Sequence, residues 1–217
     1  MKHVVLFDRR GKPALDWAVA TRNLARADDE LGKLIKRVGP FALAPRPLTS
    51  VYEALGTAIL RQQVSGAAAD AIHRKLNAQY DASRFPDAER IARATAEELR
   101  KAGVSGSKAR SLIELAQKTD AGEVPDPKAL HLLHDDAVVE ALTVHRGIGR
   151  CTVEMLLMFR MGRPDVFPVD DYGVKKGFQL TFGMKKLPHK TTMLRRAERW
   201  RPFRTIAAWY MWRACEL

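Results

Sequence analysis

Apolar residues recur along most of this chain at steps of three and four positions. Between Ser50 and Tyr80, the residues Val51, Leu55, Ala58, Ile59, Val64, Ala68, Ile72 and Leu76 fall on one face of a 3.6-residue period, which predicts helix with a stripe that packs into a core. Thr95-Ala96-Glu97-Glu98 has the form of a capping box, opening a short helix that Gly103 ends. Ser107 is placed to cap the next helix, running to about Thr119. Asp126-Pro127 and Asp135-Asp136 are further starts, the second for a helix to about Val144. Alternation of β-branched residues is confined to the first seven positions. Gly/Pro-rich loops are predicted at 39–47, 84–86, 122–127, 162–168 and 183–188. Connections this short between so many helices predict an all-α chain: a compact bundle of roughly ten helices, as one unit or two small lobes, with no substantial β lobe.

Composition narrows the class. A 217-residue chain that is 46% hydrophobic and 29% charged can bury a sizeable core, which argues against disorder. Lys and Arg number 37 against 25 acidic residues, a formal charge of +12, which favours a polyanionic partner, nucleic acid ahead of an acidic membrane surface. Cys151 and Cys215 are the only cysteines, too few for a disulfide scaffold or a four-cysteine cluster, so a reducing, cytoplasmic location is expected. The apolar run near Met1 is too short for a signal-peptide core, and no stretch approaches the ~20 apolar residues that span a bilayer, so no membrane partner is expected. The six histidines lack metal-ligand spacing with cysteine or carboxylate, and neither a catalytic metal nor another cofactor is expected. A cation bound by backbone carbonyls would need no diagnostic side chains.

The most informative segment runs from Leu142 to Phe159. Helical patterning flanks Gly147-Ile148-Gly149, which places both glycines in a tight turn where positive φ and close approach favour glycine. A helix starting after such a turn directs backbone N–H groups and its positive dipole end outward, a setting for a phosphate oxygen. Ile148 would drop into the groove between the helices, and Arg150 and Thr152 in the first turn would add contacts to the DNA backbone without reading bases. Taken alone, the same pattern also describes an ordinary turn between two helices.

A second landmark follows eighteen residues later: Phe167-Pro168-Val169-Asp170-Asp171-Tyr172-Gly173-Val174-Lys175. Together the two segments resemble the helix-hairpin-helix DNA glycosylase superfamily. The run from Asp165 to Lys175 is similar to its bacterial 3-methyladenine DNA glycosylase II branch. Ile59 to Ser65, with Gln62-Gln63 at its centre, resembles that branch's Gln-Gln-aliphatic-Ser helix. Residues 28–40 resemble its lead-in helix and 197–212 its C-terminal helix. The resemblance covers 28–217, one glycosylase domain of two helical lobes with the active-site cleft between them, and leaves 1–27 as an N-terminal segment.

The resemblance implies a monofunctional glycosylase that hydrolyses the N-glycosidic bond of alkylated bases of the 3-methyladenine/7-methylguanine type in base-excision repair. Its expected partner is double-stranded DNA containing damaged bases, and a monomer is expected. The alternative is a non-catalytic helix-hairpin-helix DNA-binding module. Glycosidic cleavage builds positive charge on the sugar, which a carboxylate stabilises while orienting or deprotonating water. The branch-specific match selects Asp171, whereas a looser Pro-x-Asp rule selects Asp170; Asp171 is assigned as catalytic and the other aspartate as a helix cap. Relatives that also cut the strand carry a lysine in the hairpin's second helix, but none lies between Gly149 and Met161, which implies no lyase chemistry.

A base must leave the stack to reach the carboxylate. The resemblance implies a pocket of Trp212, Tyr172, Met155 and Cys151, the last two replacing aromatics and widening it. Trp212 would favour cationic bases through its π face, although core packing also accounts for a tryptophan there. Gln62 and Gln63 line this pocket or contact the opposite strand; they are equally suited to bonding backbone in a helix bend. Val104 is the apolar residue of the turn where the family inserts a wedge. Residues 183–217 carry nine Lys/Arg against two Glu, +7 of the +12, and three of the four tryptophans, a concentration expected to hold phosphates around a flipped nucleotide.

Overall fold

The structure, a computed structural model, describes residues 5–44 and 46–217. Among these are thirteen α-helices, one 3-10 turn and no strand, only an isolated bridge between Phe7 and Pro13. The all-α expectation holds. The count exceeds the expected ten because helices of five or six residues are shorter than the window in which a 3.6-residue period can be read. Of the β-branched run at the start, Val4 lies outside the described residues, and the rest, Val5-Leu6-Phe7, forms no strand beyond that bridge. No described helix is long and apolar enough to cross a membrane.

The chain divides into two units, Leu48–Val153 and the remainder, Met1–Pro47 with Glu154–Leu217. The first is built from α3 (Val51–Arg61), α4 (Gly66–Gln79), α5 (Ala88–Ala92), α6 (Ala96–Lys101), α7 (Gly106–Asp120), α8 (Pro127–Leu132) and α9 (Asp135–Thr143). Helix α7 packs against α3, α5 and α6, burying Leu112 and Leu115 with Leu55, Ile59, Ile91 and Leu99. Phe85 lies over Gly56, where an added Cβ would stand 2.5 Å from its ring.

Local rules are obeyed at some helix starts and displaced at others. Thr95 and Glu98 form the reciprocal capping box, and Asp126 caps α8 with Pro127 in its first turn. The stripe from Ser50 to Tyr80 is two helices. Gln62 is extended, Gln63 is left-handed at φ 53°, and Ser65 caps α4. The interruption, Gln62 to Ser65, is close to one helical turn in length, so a 3.6-residue count runs through it; beyond it Ala69 and Leu76 are buried, whereas the expected stripe residue Ala68 is exposed. Val64, inside the break, is exposed. Ser105 rather than Ser107 stands at the N-cap position of α7, without a side-chain capping bond. His134 caps α9, with Asp135 and Asp136 in its first turn, where acidic groups favour the positive end of the helix dipole.

The second unit contains α1 (Trp17–Ala27), α2 (Asp29–Val38), α11 (Tyr172–Thr181), α12 (Lys190–Ala197) and α13 (Arg204–Ala214); α10 (Arg150–Phe159) starts in one unit and ends in the other. The early chain is tied in: Leu6 N donates to Gly162 O (2.6 Å), and Trp17 Nε1 donates to Leu6 O (2.9 Å). Asp28, its side chain fully buried, caps α2 and accepts from Arg196 Nε (2.7 Å), Arg196 Nη2 (2.8 Å) and Trp200 Nε1 (3.2 Å). Burial pulls its carboxyl upward, but these bonds and the Leu31 amide more than offset that, and its pKa lies below the usual value. Helices α11 and α13 pack closely. Gly177 permits this, since an added Cβ would stand 1.8 Å from the Met211 carbonyl oxygen.

Candidate active site

The hairpin forms as its glycines require. Gly147 adopts φ 79°, and Ile148, 4% exposed, is buried between exposed Gly147 and Gly149. Ile148 N donates to His145 O (3.1 Å), tightening the turn. A Cβ on Gly147 would meet Ser111 Oγ of α7 at 2.7 Å, whereas nothing lies within 4 Å of one on Gly149. Gln62 Nε2 donates to Gly147 O (2.8 Å). Gln62 therefore braces the hairpin through a backbone bond; the left-handed, exposed Gln63 belongs to the same helix break. Arg150 lies 3.6 Å from Asp136, and Thr152 is half-buried. His145 is buried, and burial pushes its imidazole pKa down.

The turn between α6 and α7 repeats this construction. Gly103 has φ 90° and is followed by Val104, which is 2% exposed. The expected wedge is corrected here: Val104 occupies the core position that Ile148 takes in the hairpin, and it cannot enter a base stack without unpacking that core.

The other unit holds the two aspartates in different environments. A tight turn, with Asp171 N donating to Pro168 O (3.0 Å), follows the buried Phe167 and leads into α11. Asp170 is exposed and paired with Lys190 (2.7 Å) and Lys175 (3.6 Å). The Lys190 hydrogen bond is the main cause holding its carboxyl below the ordinary range. The expected helix cap is corrected here: Asp171, not Asp170, caps α11. Asp171 is half-buried, and its Oδ1 accepts from Val174 N (2.8 Å) and from Trp212 Nε1 (2.8 Å). Both bonds fall on one oxygen, Oδ1. Asp170 is thus neutralised by lysines at the surface, whereas Asp171 is a carboxylate oriented by neutral N–H donors.

Beside Trp212 stands Phe159 of α10, ring centroids 5.7 Å apart and 31° between planes. The sequence reading missed Phe159. Helical period could have found it, because it lies four residues beyond Met155 and eight beyond Cys151 on one face of α10. Met155 is half-buried, Cys151 exposed and Tyr172 69% exposed. The C-terminal charge is less available than expected. Of its nine cations, Lys190, Arg196, Arg201, Arg204 and Arg213 have carboxylate partners within the protein. Among the described residues no group of three or more His, Cys, Asp or Glu is placed to hold a metal ion.

A glycine hairpin, a capped aspartate after a Pro-bearing turn and an aromatic from the last helix are thus present in this chain order. Residues 57–202, spanning the hairpin and both aspartates, match the family described as HhH-GPD superfamily base excision DNA repair protein. The chain belongs to this superfamily. Within the HhH-GPD group it is 36% identical over 200 residues to DNA-3-methyladenine glycosylase 1 of Schizosaccharomyces pombe, covering 90% of this chain and 86% of that protein. It is 30% identical over 203 residues to the alkylbase DNA glycosidase-like protein mag2 of the same organism, covering 93% and 95%. It is also similar to the solved S. pombe 3-methyladenine DNA glycosylase in complex with abasic DNA, at a TM-score of 0.81 and 35% identity over 92% of this chain and 97% of that one. The resemblance drawn from the sequence is therefore to relatives that bear the glycosylase name.

Proposed function

We propose that this protein is a monofunctional DNA glycosylase that removes alkylated bases of the 3-methyladenine/7-methylguanine type from double-stranded DNA in base-excision repair. The observation that carries the reading is Asp171: a carboxylate beyond the hairpin, held by one backbone and one indole donor, with its second oxygen uncommitted. Its negative charge stabilises the cationic sugar as the C1′–N bond breaks. The bonding electron pair leaves with the base, which departs neutral because alkylation had made it cationic. Water adds to C1′, and its proton passes to Asp171 and then to solvent.

The hairpin supplies the grip on DNA. Gly147, Gly149 and the start of α10 present backbone and side-chain donors, with Arg150 and Thr152, to phosphate oxygens, while Ile148 anchors the turn in the core. Trp212 and Phe159, with Met155 and Tyr172 of the same unit nearby in sequence register, supply the surface for an extruded base, and the π faces favour cationic purines. With no lysine in α10, no Schiff base forms, and borohydride should trap no covalent DNA adduct.

Single-turnover release of base from methylated duplex DNA tests the reading, comparing Asp171→Asn with Asp170→Asn. Asp171→Asn is expected to abolish release while retaining DNA binding, and Asp170→Asn to retain both. Binding without release by the unaltered protein would instead make it a non-catalytic helix-hairpin-helix module.

A further inference from the structure

We infer that Trp212 is a positioning residue: its indole N–H fixes the orientation of the Asp171 carboxylate, and two glycines of α11 exist to bring it there. The inference rests on the assignment of Asp171 above. An aspartate at a helix N-cap ordinarily accepts from the first-turn amides, and Asp171 does so from Val174. A carboxylate held only by that bond keeps rotational freedom about its side-chain torsions. The second donor comes from a different element, α13, and reaches the same Oδ1 at 2.8 Å. Donors from two elements converging on one oxygen fix the plane of the carboxylate and direct Oδ2.

The approach is built into α11. Gly173 and Gly177 lie one turn apart on the face that packs against α13. At Gly177 the α13 backbone itself fills the space of a side chain, 1.8 Å from the ideal Cβ to the Met211 carbonyl oxygen. At Gly173 the indole fills it: a Cβ there would stand 2.7 Å from Trp212 Cδ1, 3.0 Å from Nε1 and 3.2 Å from Asp171 Oδ1. Any larger residue at 173 therefore displaces the donor. Phe159 lies against the indole and limits its retreat. The indole N–H is tryptophan's one polar group, and here it is committed to Asp171. Trp212 accordingly offers a base only its π surface and does not discriminate among bases by hydrogen bonding.

Two variants and a spectroscopic signature test this. Trp212→Phe keeps a ring but removes the donor. Gly173→Ala keeps the tryptophan but pushes it away, and because alanine is the better helix former it should not weaken α11 itself. Each is expected to lower the single-turnover rate constant for base release by about 10- to 100-fold, while affinity for abasic-site DNA stays at the wild-type value. In ¹H–¹⁵N spectra, the indole resonance that vanishes in Trp212→Phe should shift in Asp171→Asn. A wild-type rate in Trp212→Phe, a loss confined to binding, or an indole resonance indifferent to Asp171→Asn would overturn the inference. Wild-type excision by Asp171→Asn would instead overturn the catalytic assignment, and the spectra would still report whether the hydrogen bond exists.

Discussion

Replacing Gly147 by alanine perturbs the hairpin in two ways that can be measured apart. The residue sits at φ 79°, where a Cβ costs about 1–2 kcal/mol against the following carbonyl. The same Cβ would lie 2.7 Å from Ser111 Oγ and 3.1 Å from Ser111 Cβ, and displacing that buried side chain adds about 1–2 kcal/mol of overpacking. The expected loss is about 3 kcal/mol, which lowers Tm by about 6–12 °C in a chain of this size. Adding Ser111→Ala to the variant should restore about 1 kcal/mol, the Oγ share, and leave the backbone share in place. Gly149→Ala is the control: its φ is not in the left-handed region and nothing surrounds the added methyl. It should change stability by less than about 0.5 kcal/mol yet weaken DNA binding, since the methyl stands where a phosphate would approach the turn. Thermal unfolding followed by circular dichroism reads the first quantity, and titration with duplex DNA the second. A Gly147→Ala protein as stable as wild type, or a Gly149→Ala protein equally destabilised, would refute the reasoning.

Two further outcomes follow from the packing of the other unit. Gly177→Ala should cost more than about 3 kcal/mol, because the clash is with α13 backbone and no rotamer relieves it; urea unfolding checks this, and a midpoint near that of the parent would contradict it. Asp28→Asn should cost about 2–3 kcal/mol at neutral pH by leaving Arg196, one-third exposed, without its anionic partner in a partly buried site. The Asp28 carboxyl is lowered in the fold, so its contribution is complete above the unfolded value near ~3.9 and is lost as pH falls below that through the folded value. The stability gap between wild type and Asp28→Asn should therefore close in acid, and a gap that widened there would contradict the assignment.

What could be read from the sequence was what short-range chemistry decides. The capping box of Thr95 and Glu98, the Asp126-Pro127 start and the Gly147-Ile148-Gly149 turn each follow from residues within a few positions of one another. The break after Arg61 is close to one turn long, so a 3.6-residue count runs through it, and only the suitability of Gln62 and Gln63 for a helix bend hints at it. Ser105 and Ser107 are equally plausible caps, and Ser105 makes no side-chain capping bond that would distinguish it. Val104 was misassigned because an apolar residue in a glycine turn has two fates, and the hairpin itself shows the one that applies: burial beneath the turn. Partners far apart along the chain were beyond local rules. Gln62 bonds Gly147 across 85 positions, Trp212 bonds Asp171 across 41, and Arg196 bonds Asp28 across 168. For the same reason, the basic C-terminal stretch looked more available to DNA than its internal ion pairs leave it.

The central claim is that Asp171, and not its neighbour, performs glycosidic cleavage on DNA held by the hairpin. Its most direct test is single-turnover release of 3-methyladenine and 7-methylguanine from methylated duplex DNA by wild type, Asp170→Asn and Asp171→Asn, at protein concentrations that saturate the DNA. The account predicts release by the first two and none above the spontaneous rate by the third, with equal DNA affinity throughout. Release by Asp171→Asn at the wild-type rate, or its loss in Asp170→Asn alone, would contradict it.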